Sequence, residues 1–178
     1  LQADEGALAQ QILPDAPIRI VANLPYNIGT ALLIKWLVGP IRPRSLTLMF
    51  QKEVAQRIVA RTGSEAYGRL AVICQALAQA EIVMDLPARA FTPPPKVASA
   101  VVQITPSSHR PSDSLVSALE SVTREAFGQR RKMLKSSLKA LGGADLCQAA
   151  GVETEARAES IDVAGFLRLA QAALSRAS

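Results

Sequence analysis

The sequence of 178 residues predicts an α/β unit followed by a small all-helical unit. Short apolar runs alternate with stretches of helical spacing up to about residue 104, which favours a sheet with helices packed on it. After His109 only helical spacing remains. Two prolines and several small polar residues lie between the two patterns, at residues 106–111, and such a composition is typical of a linker. We therefore divide the chain into two domains, residues 1–107 and 108–178.

The first domain is predicted to contain four strands and three helices in alternation. A short apolar strand at residues 19–22 stops at the turn formers Asn23-Leu24-Pro25-Tyr26-Asn27. The other strands, of which the last two form a hairpin-like pair, are predicted at residues 45–50, 81–86 and 98–104. The helices are predicted at residues 28–38, 51–61 and 68–78.

The second domain is predicted to contain helices alone. Their ranges are residues 113–127, 130–141, 144–150 and 163–175. Ser112 or Asp113 is the predicted cap of the first of them.

Composition excludes several classes of function. The chain is 49% hydrophobic and 20% charged, as in a globular protein, and we expect no membrane span because no apolar run approaches about 20 residues. One histidine, His109, and two distant cysteines, Cys74 and Cys147, predict neither a metal site nor a redox pair. The sequence opens at Leu1 without a signal-peptide pattern, so we expect a cytoplasmic protein and a chain that begins within a longer one.

The net charge of +5 is concentrated in one segment. Between Ser121 and Ala140 there are six basic residues and one acidic residue, whereas the rest of the chain has 14 of each. The six are Arg124, Arg130, Arg131, Lys132, Lys135 and Lys139. On the predicted helix, residues 131, 135 and 139 share one face. A basic stripe on one face of a helix suits binding to the phosphates of RNA. A solvated helix face is the alternative.

The string Asn23-Leu24-Pro25-Tyr26 carries the first candidate site. It follows directly on a predicted strand, where open α/β sheets bind their ligands. The Asn23 carboxamide and the backbone carbonyl beside it can both accept hydrogen bonds from one exocyclic amine, such as that of adenine, and Tyr26 can stack on the base. Two such acceptors favour a pyramidal nitrogen whose lone pair is available. The alternative is a plain turn with Tyr26 packed at its edge.

Phe91 carries the second candidate site, within Phe91-Thr92-Pro93-Pro94-Pro95-Lys96-Val97. Three successive prolines hold the loop extended, so an aromatic ring is presented at little entropic cost. The alternative is a ring that is buried in the core.

Six collinear strings resemble the bacterial small-subunit (16S) ribosomal RNA adenine dimethyltransferases. They begin at Asn23 (NLPYNI), Gln51 (QKEV), Ala66 (AYGRL), Phe91 (FTPPPKV), Phe127 (FGQRRK) and Arg157 (RAESI). The related erythromycin-resistance methylases carry a string similar to the first, but the last two look more like the small-subunit enzymes.

The resemblance implies a Rossmann-like fold, S-adenosylmethionine as methyl donor, and two adjacent adenines of small-subunit ribosomal RNA as targets. By similarity, Asn23 and the neighbouring carbonyl hold the amine within the motif that Leu24 and Pro25 complete, and Tyr26 and Phe91 sandwich the base. The immature 30S subunit is the implied partner, and Lys96 joins the basic residues above as an RNA contact. A second methylation requires a roomy pocket.

For the cofactor, the resemblance implies Asp4 and Asn23 as contacts. None of the ten glycines forms a GxGxxG string, so the loop that wraps the methionine part is expected before Leu1. We therefore expect an N-terminally truncated, inactive fragment whose first strand has an unpaired edge.

Two alternatives from other classes remain open. One is a non-catalytic module that acts in ribosome assembly, and the other is a methylase of large-subunit RNA. The string at Arg157 has a structural alternative, with an Arg157–Glu159 ion pair and Ser160 as a helix cap. Lys52 and Arg69 either reach phosphate or coat a helix.

Overall fold

A computed structural model describes residues 17–129 and 131–177, together with Ala7 and Gln11. Its contacts divide the chain into two compact units. The sheet unit comprises residues 17–59 and 77–109 of the described chain, and the helical unit comprises residues 60–76 and 110–177 without residue 130.

The sheet unit is built on four strands: β1 (Arg19–Asn23), β2 (Ser45–Gln51), β3 (Ala78–Leu86) and β4 (Ser99–Pro106). Their order is β1-β2-β4-β3; β1 and β2 are parallel, and β4 runs antiparallel to both of its neighbours. The predicted hairpin-like pair is therefore confirmed as β3 and β4.

Alternation of apolar and polar residues explains the two central strands. In β2, Leu46, Leu48 and Phe50 are buried, and the residues between them are half-buried. In β4, Ala100, Val102 and Ile104 are buried in the same way. Side chains two residues apart share one face of a sheet, so one face of this pair forms the apolar core of the unit.

Among the described residues, β1 is an edge strand because β2 is its one partner. Val21, in its middle, is 78% exposed.

Two helices complete the sheet unit. Helix α1 (Gly29–Val38) buries Leu33, Trp36 and Leu37, whose spacing of three and one places them on one face. Helix α2 (Lys52–Ile58) follows β2 directly and buries Ala55 and Ile58. It ends three residues before the predicted end at residue 61.

The helical unit contains α3 (Arg69–Leu77, all but its last residue), α4 (Asp113–Gly128), α5 (Leu134–Ser137), α6 (Gly143–Ala149) and α7 (Val163–Ala177). Its core includes Leu119, Leu134 and Phe166, all fully buried. The rings of Phe127 and Phe166 stack with centroids 5.4 Å apart.

The structure differs from the predicted domain division at residues 60–76. The sequence assigns them to the first domain, but Tyr67, Ala71 and Val72 are buried in the core of the helical unit. The hydroxyl of Tyr67 donates to the Ile161 carbonyl at 2.9 Å. Helical spacing shows which face of a helix is apolar but not which unit covers that face.

The predicted helix over residues 130–141 is wrong. The structure has a turn at residues 131–132, the four-residue α5, and a 3₁₀ turn at Lys139–Leu141. The backbone N–H groups of Leu134 and Lys135 donate to the carbonyls of Ala156 and Thr154, at 2.8 and 3.0 Å. These bonds between distant segments replace the helical bonds that those groups would donate in a longer helix.

Side-chain caps begin the two long helices of this unit. The Ser112 hydroxyl accepts from the Leu115 N–H at 3.2 Å, which settles the predicted choice in favour of Ser112. Asp162 caps α7 by accepting from the Gly165 N–H at 2.7 Å. Ser160, the predicted cap, instead donates to the Arg157 carbonyl at 2.8 Å. Of the helices in the described ranges, none has both the length and the apolar character of a membrane span.

Candidate base-binding site

A cleft of about 410 Å³ lies in the sheet unit. Its lining includes the whole string from Asn23 to Tyr26, together with Met49, Phe91 and three residues of the proline-rich loop: Thr92, Pro93 and Pro95. The two sequence strings that predict a site therefore lie at the same cleft, although 65 or more residues separate them.

The floor of the cleft is formed where β1 and β2 end. Asn23, the last residue of β1, lies beside Met49 in the parallel register. Parallel strands are about 4.8 Å apart and residues in register point to the same face, so the carboxamide and the thioether are neighbours. The sequence predicts Asn23 as a site residue but does not predict Met49. Only the register of β1 and β2 shows that Met49 lies beside Asn23.

The backbone of the string determines which carbonyl is available. The Pro25 carbonyl accepts from the N–H groups of Ile28 and Gly29, at 3.1 and 3.0 Å. Both of its lone pairs therefore serve the first turn of α1. This leaves the Leu24 carbonyl as the candidate acceptor beside Asn23, while the Leu24 side chain is buried.

Gly29 allows a close approach beneath this turn. A Cβ atom at Gly29 would lie 3.2 Å from the Phe50 ring and 3.4 Å from the Leu24 Cβ. The start of α1 thus packs directly on β2. This close packing holds the string from residue 23 to residue 26 against the end of the sheet.

Tyr26 forms one wall of the cleft and is 39% exposed. Its hydroxyl shares a hydrogen bond of 2.7 Å with the Ser99 hydroxyl. The ring is therefore neither loose nor buried in the core, and a face that borders a cleft is available for stacking.

Phe91 and the proline-rich loop also contribute to the lining. Phe91 is half-buried, follows the 3₁₀ turn at Ala88–Ala90, and adopts extended backbone. The peptide bond between Thr92 and Pro93 is cis. The alternative of a Phe91 side chain wholly inside the core does not describe this structure. Lys96 is exposed next to Pro95.

The predicted RNA-binding residues do not form one helical stripe. Arg131 and Lys132 lie in the turn before α5, Lys135 lies in α5, and Lys139 lies in the 3₁₀ turn, all of them exposed. Arg124 is on α4. Arg130 falls outside the described residues, as does Asp4, the predicted cofactor contact. The assignment of these residues to RNA stays a prediction.

Several of these cations are paired with carboxylates. The Lys135 Nζ lies 2.8 Å from Glu155, and Lys135 holds the pKa of that carboxyl below its usual range. The Arg124 guanidinium lies 3.6 Å from Glu125. Of the two uncertain bases, Lys52 pairs with Asp85 at 3.0 Å and Arg69 with Glu120 at 3.7 Å. No Arg157–Glu159 ion pair is found in the described part of the chain.

Counted by unit, the charge differs from the count along the chain. The described sheet unit has eight basic residues and three acidic ones, whereas the described helical unit has 11 and nine. The eight bases are Arg19, Lys35, Arg42, Arg44, Lys52, Arg57, Arg89 and Lys96. Over the full sequence, residues 1–59 and 77–109 have the same eight bases and six acids, a net charge of +2, whereas residues 60–76 and 110–178 have 12 and nine, a net charge of +3. The excess of bases is thus divided between the two units.

Neither cysteine contributes to the site. Cys74 is fully buried, and burial raises the pKa of its thiol to about 12. It is a small apolar core residue, as the sequence suggests. Within the described ranges, no group of three or more His, Cys, Asp and Glu side chains is placed to hold a metal ion.

The mixed α/β sheet and the small helical unit agree with the predicted Rossmann-like fold class. Residues 1–174 match the family of ribosomal RNA adenine dimethylases. The chain belongs to this family, which confirms the resemblance seen in its sequence strings.

Individual relatives agree with this membership. The chain is 68% identical over 161 residues to the ribosomal RNA small subunit methyltransferase A of Caulobacter vibrioides, a match that covers 90% of this chain and 62% of the relative. A dimethyladenosine transferase structure from Plasmodium falciparum has a TM-score of 0.71 and 25% identity, covering 85% of this chain and 65% of that one. The structure of the 23S rRNA methyltransferase ErmE has a TM-score of 0.64 and 25% identity, covering 90% and 66%. The chain therefore spans less than two thirds of the length of each.

Proposed function

We propose that this chain carries the target-base site of an S-adenosylmethionine-dependent enzyme that dimethylates the exocyclic amines of two adjacent adenines in small-subunit ribosomal RNA. The observation that carries the proposal is the cleft that Asn23, Leu24, Tyr26 and Phe91 line together. The name of the 68% identical relative supports the choice of small-subunit RNA.

The acceptors in the cleft suit the chemistry of an adenine amine. That nitrogen is a poor nucleophile because its lone pair is conjugated with the ring. In the proposed mechanism, the Asn23 carboxamide oxygen and the Leu24 carbonyl accept its two N–H bonds, which favours a pyramidal nitrogen with an available lone pair. Acceptors that are fixed before the reaction stabilise the developing charge without reorganisation.

The walls and the volume of the cleft suit a flipped base. Tyr26 and Phe91 would stack on it, each contact contributing about 1–3 kcal/mol and so offsetting the few kcal/mol that unstacking the base costs. The volume of about 410 Å³ lies within the range of roughly 300–1,000 Å³ that is usual for small-molecule sites. This leaves room for an amine that already carries one methyl group.

The proposed cofactor contacts in this chain are Asp4 and Asn23. When bound, S-adenosylmethionine supplies an electrophilic methyl group for direct transfer to the amine. Of the two predicted contacts, Asn23 lies at the cleft, and its position at the end of a strand fits a ligand beside the sheet. Asp4 stays a prediction.

Charge supports RNA as the substrate. The whole chain has a net charge of +5, and the exposed Lys96 follows the Pro95 lining residue directly. We further propose binding to the immature 30S subunit in the cytoplasm, with a role in assembly that does not require methyl transfer.

The test uses a chimaera in which this chain replaces the matching 161 residues of the Caulobacter vibrioides relative. Asn23→Ala is expected to lower kcat for methyl transfer by about 100-fold or more, because one of two preorganised acceptors is lost. Binding to the small subunit is expected to survive. The measurement is incorporation of labelled methyl groups into purified subunits.

Asn27→Ala is the matched control. Asn27 is an exposed asparagine of the same turn and does not line the cleft, so its variant should transfer methyl groups at the unaltered rate. An Asn23→Ala chimaera with unchanged kcat would contradict the role of Asn23.

A large-subunit target is the second candidate, which the similarity to ErmE favours. Primer extension on both ribosomal RNAs separates the two. A stop in the small-subunit RNA alone supports our proposal, and a stop in the large-subunit RNA alone overturns it.

A further inference from the structure

A hydrogen bond joins the string at residues 23–26 to the start of β4, directly after the proline-rich loop. The Tyr26 hydroxyl and the Ser99 hydroxyl are 2.7 Å apart, although 73 positions separate the residues. Tyr26 is 39% exposed, whereas Ser99 is completely buried. The bond therefore ties an exposed ring to a fixed point inside the protein.

Ser99 is held firmly by the sheet. It is the first residue of β4, in register with Gln51 of β2 on one side and with Leu86 of β3 on the other. The N–H of Lys52 donates to the carbonyl of the preceding residue, Ala98, at 2.9 Å. Its backbone thus has neighbours on both sides, and a buried side chain has few rotamers open to it.

Ser99 also follows directly on the proline-rich loop that carries Phe91. The loop ends at residue 98, and Ser99 begins the strand. Ser99 itself is not among the residues that line the cleft. Ser99 therefore contacts Tyr26 and also fixes the end of the loop that carries Phe91. Because it does not line the cleft, it would not touch a bound base.

We propose that Ser99 is a positioning residue, whose hydroxyl orients the Tyr26 ring for stacking on the target base. This inference rests on the proposed function. A tyrosine has two side-chain torsions, and a bond at the far end of its ring restricts both. Without the bond, the ring must be ordered when the base enters, so binding becomes weaker.

The kinetic test compares variants that remove the same bond from either end. In the chimaera, Ser99→Ala and Tyr26→Phe are each expected to raise KM for the RNA about 3- to 10-fold, with kcat changed less than 2-fold. The double variant is expected to be no worse than either single one, because there is one bond to lose. Ser99→Thr, which keeps a hydroxyl, should have a KM close to that of the unaltered chimaera.

Thr47→Val is the matched control. The Thr47 hydroxyl donates to the Gln103 side chain at 2.6 Å, across the same pair of strands as Ser99, and neither Thr47 nor Gln103 is among the residues that line the cleft. If loss of a sheet hydroxyl mattered only through stability, this variant would raise KM as Ser99→Ala does. We expect it to leave KM unchanged.

A spectroscopic arm uses this chain alone, without RNA. Tyr26 and Tyr67 are its two tyrosines, so fluorotyrosine labelling gives two ¹⁹F resonances. Ser99→Ala should shift or broaden the Tyr26 resonance and leave that of Tyr67 in place, and Thr47→Val should change neither. If Ser99→Ala does not fold, Tyr26→Phe still tests the bond kinetically, since it removes the bond at the exposed end.

The outcomes separate this inference from the proposed function. An unchanged KM for Ser99→Ala, effects that add in the double variant, or an unchanged Tyr26 resonance would each overturn the role of Ser99. If Ser99 proves to have no role but Asn23→Ala abolishes methyl transfer in the same assay, the proposed function stands. If Asn23→Ala has no effect, the proposed function fails whatever Ser99 does.

Discussion

At the scale of single residues, the cleft is lined by side chains of different chemical types. Asn23 supplies a fixed acceptor, Tyr26 a ring that is held at its hydroxyl, and Met49 a flexible thioether beside the acceptor. Methionine fills irregular space and adapts to changes in its neighbours. Under the proposed function, Met49 would adapt to an amine that grows by one methyl group between two transfers.

Met49→Phe is expected to lower the ratio of dimethyladenine to monomethyladenine, because a rigid ring fills the space that the first methyl group needs. Mass spectrometry of digested RNA from the chimaera measures the ratio. Met84→Phe serves as the control, since Met84 is 54% exposed on β3. An unchanged ratio in Met49→Phe would show that another residue provides the room.

A second residue-scale prediction concerns pH and Cys74. Its thiol has an unfolded pKa near 9 and a folded pKa of about 12, so the unfolded state loses its proton first as pH rises. The contribution of this thiol to the free energy of unfolding is fully present below pH 9. It decreases between pH 9 and pH 12, by about 1.4 kcal/mol per pH unit.

Urea unfolding at pH 8, 9 and 10 tests this prediction. Between pH 9 and 10, the free energy of unfolding should fall less in Cys74→Ala than in the unaltered chain. The buried Tyr67 and Cys147, whose pKa values are also raised, remain in both proteins and cancel in the comparison. Equal losses would argue that the thiol does not titrate in this range.

At the scale of elements, the segment from residue 129 to residue 141 shows how distant partners override helical spacing. Its basic and apolar residues recur at intervals that suit one helix. The segment at residues 154–157 instead accepts hydrogen bonds from Leu134 and Lys135, and Met133 forms an isolated bridge with Arg157. The string at Arg157 thus has a structural role here, through its backbone.

In this arrangement the basic residues differ in how available their charges are for binding RNA. Lys135 is paired with Glu155, whereas Lys132 lies exposed in the turn before α5. We expect Lys132→Gln to weaken RNA binding and to reduce the slope of log affinity against log salt by nearly one, and Lys135→Gln to do less. Glu155→Gln should strengthen binding, because it frees the Lys135 cation.

Binding to small-subunit ribosomal RNA between 50 and 200 mM salt measures these slopes. Equal effects of Lys132→Gln and Lys135→Gln would mean that the ion pair with Glu155 opens on RNA at little cost, as exposed pairs often do.

At the scale of the whole molecule, the units interleave along the chain. Residues 60–76 leave the sheet unit, contribute to the core of the helical unit, and lead back into β3. A helical domain that begins at residue 108 lacks Tyr67, Ala71 and Val72, which are buried in that core. Missing core side chains leave cavities, and each costs about 2–5 kcal/mol for a large residue.

A protein of residues 108–178 alone is therefore expected to unfold without a cooperative transition, and a peptide of residues 60–76 should restore the transition when added. Thermal unfolding followed by circular dichroism at 222 nm measures this. A cooperative transition without the peptide, at the temperature seen with it, would place residues 60–76 outside the stable core.

The distribution of charge also belongs to the whole molecule. Along the chain the excess of bases is concentrated near residue 130. Counted by unit over the full sequence, residues 1–59 and 77–109 have a net charge of +2, and residues 60–76 and 110–178 have a net charge of +3. A count along the sequence does not show this division, because it does not include which segments pack together.

The sequence by itself determined the strands, the turn after β1, the family and the strings that line the cleft. These features depend on residue type and on spacing over a few positions, where periodicity and turn chemistry act. Only the tertiary structure decided that Ser99 holds Tyr26, that Met49 lies beside Asn23, that residues 60–76 pack in the helical unit, and that Glu155 neutralises Lys135. Each of these depends on contacts between residues far apart in the chain, which the fold brings together and which no local pattern encodes.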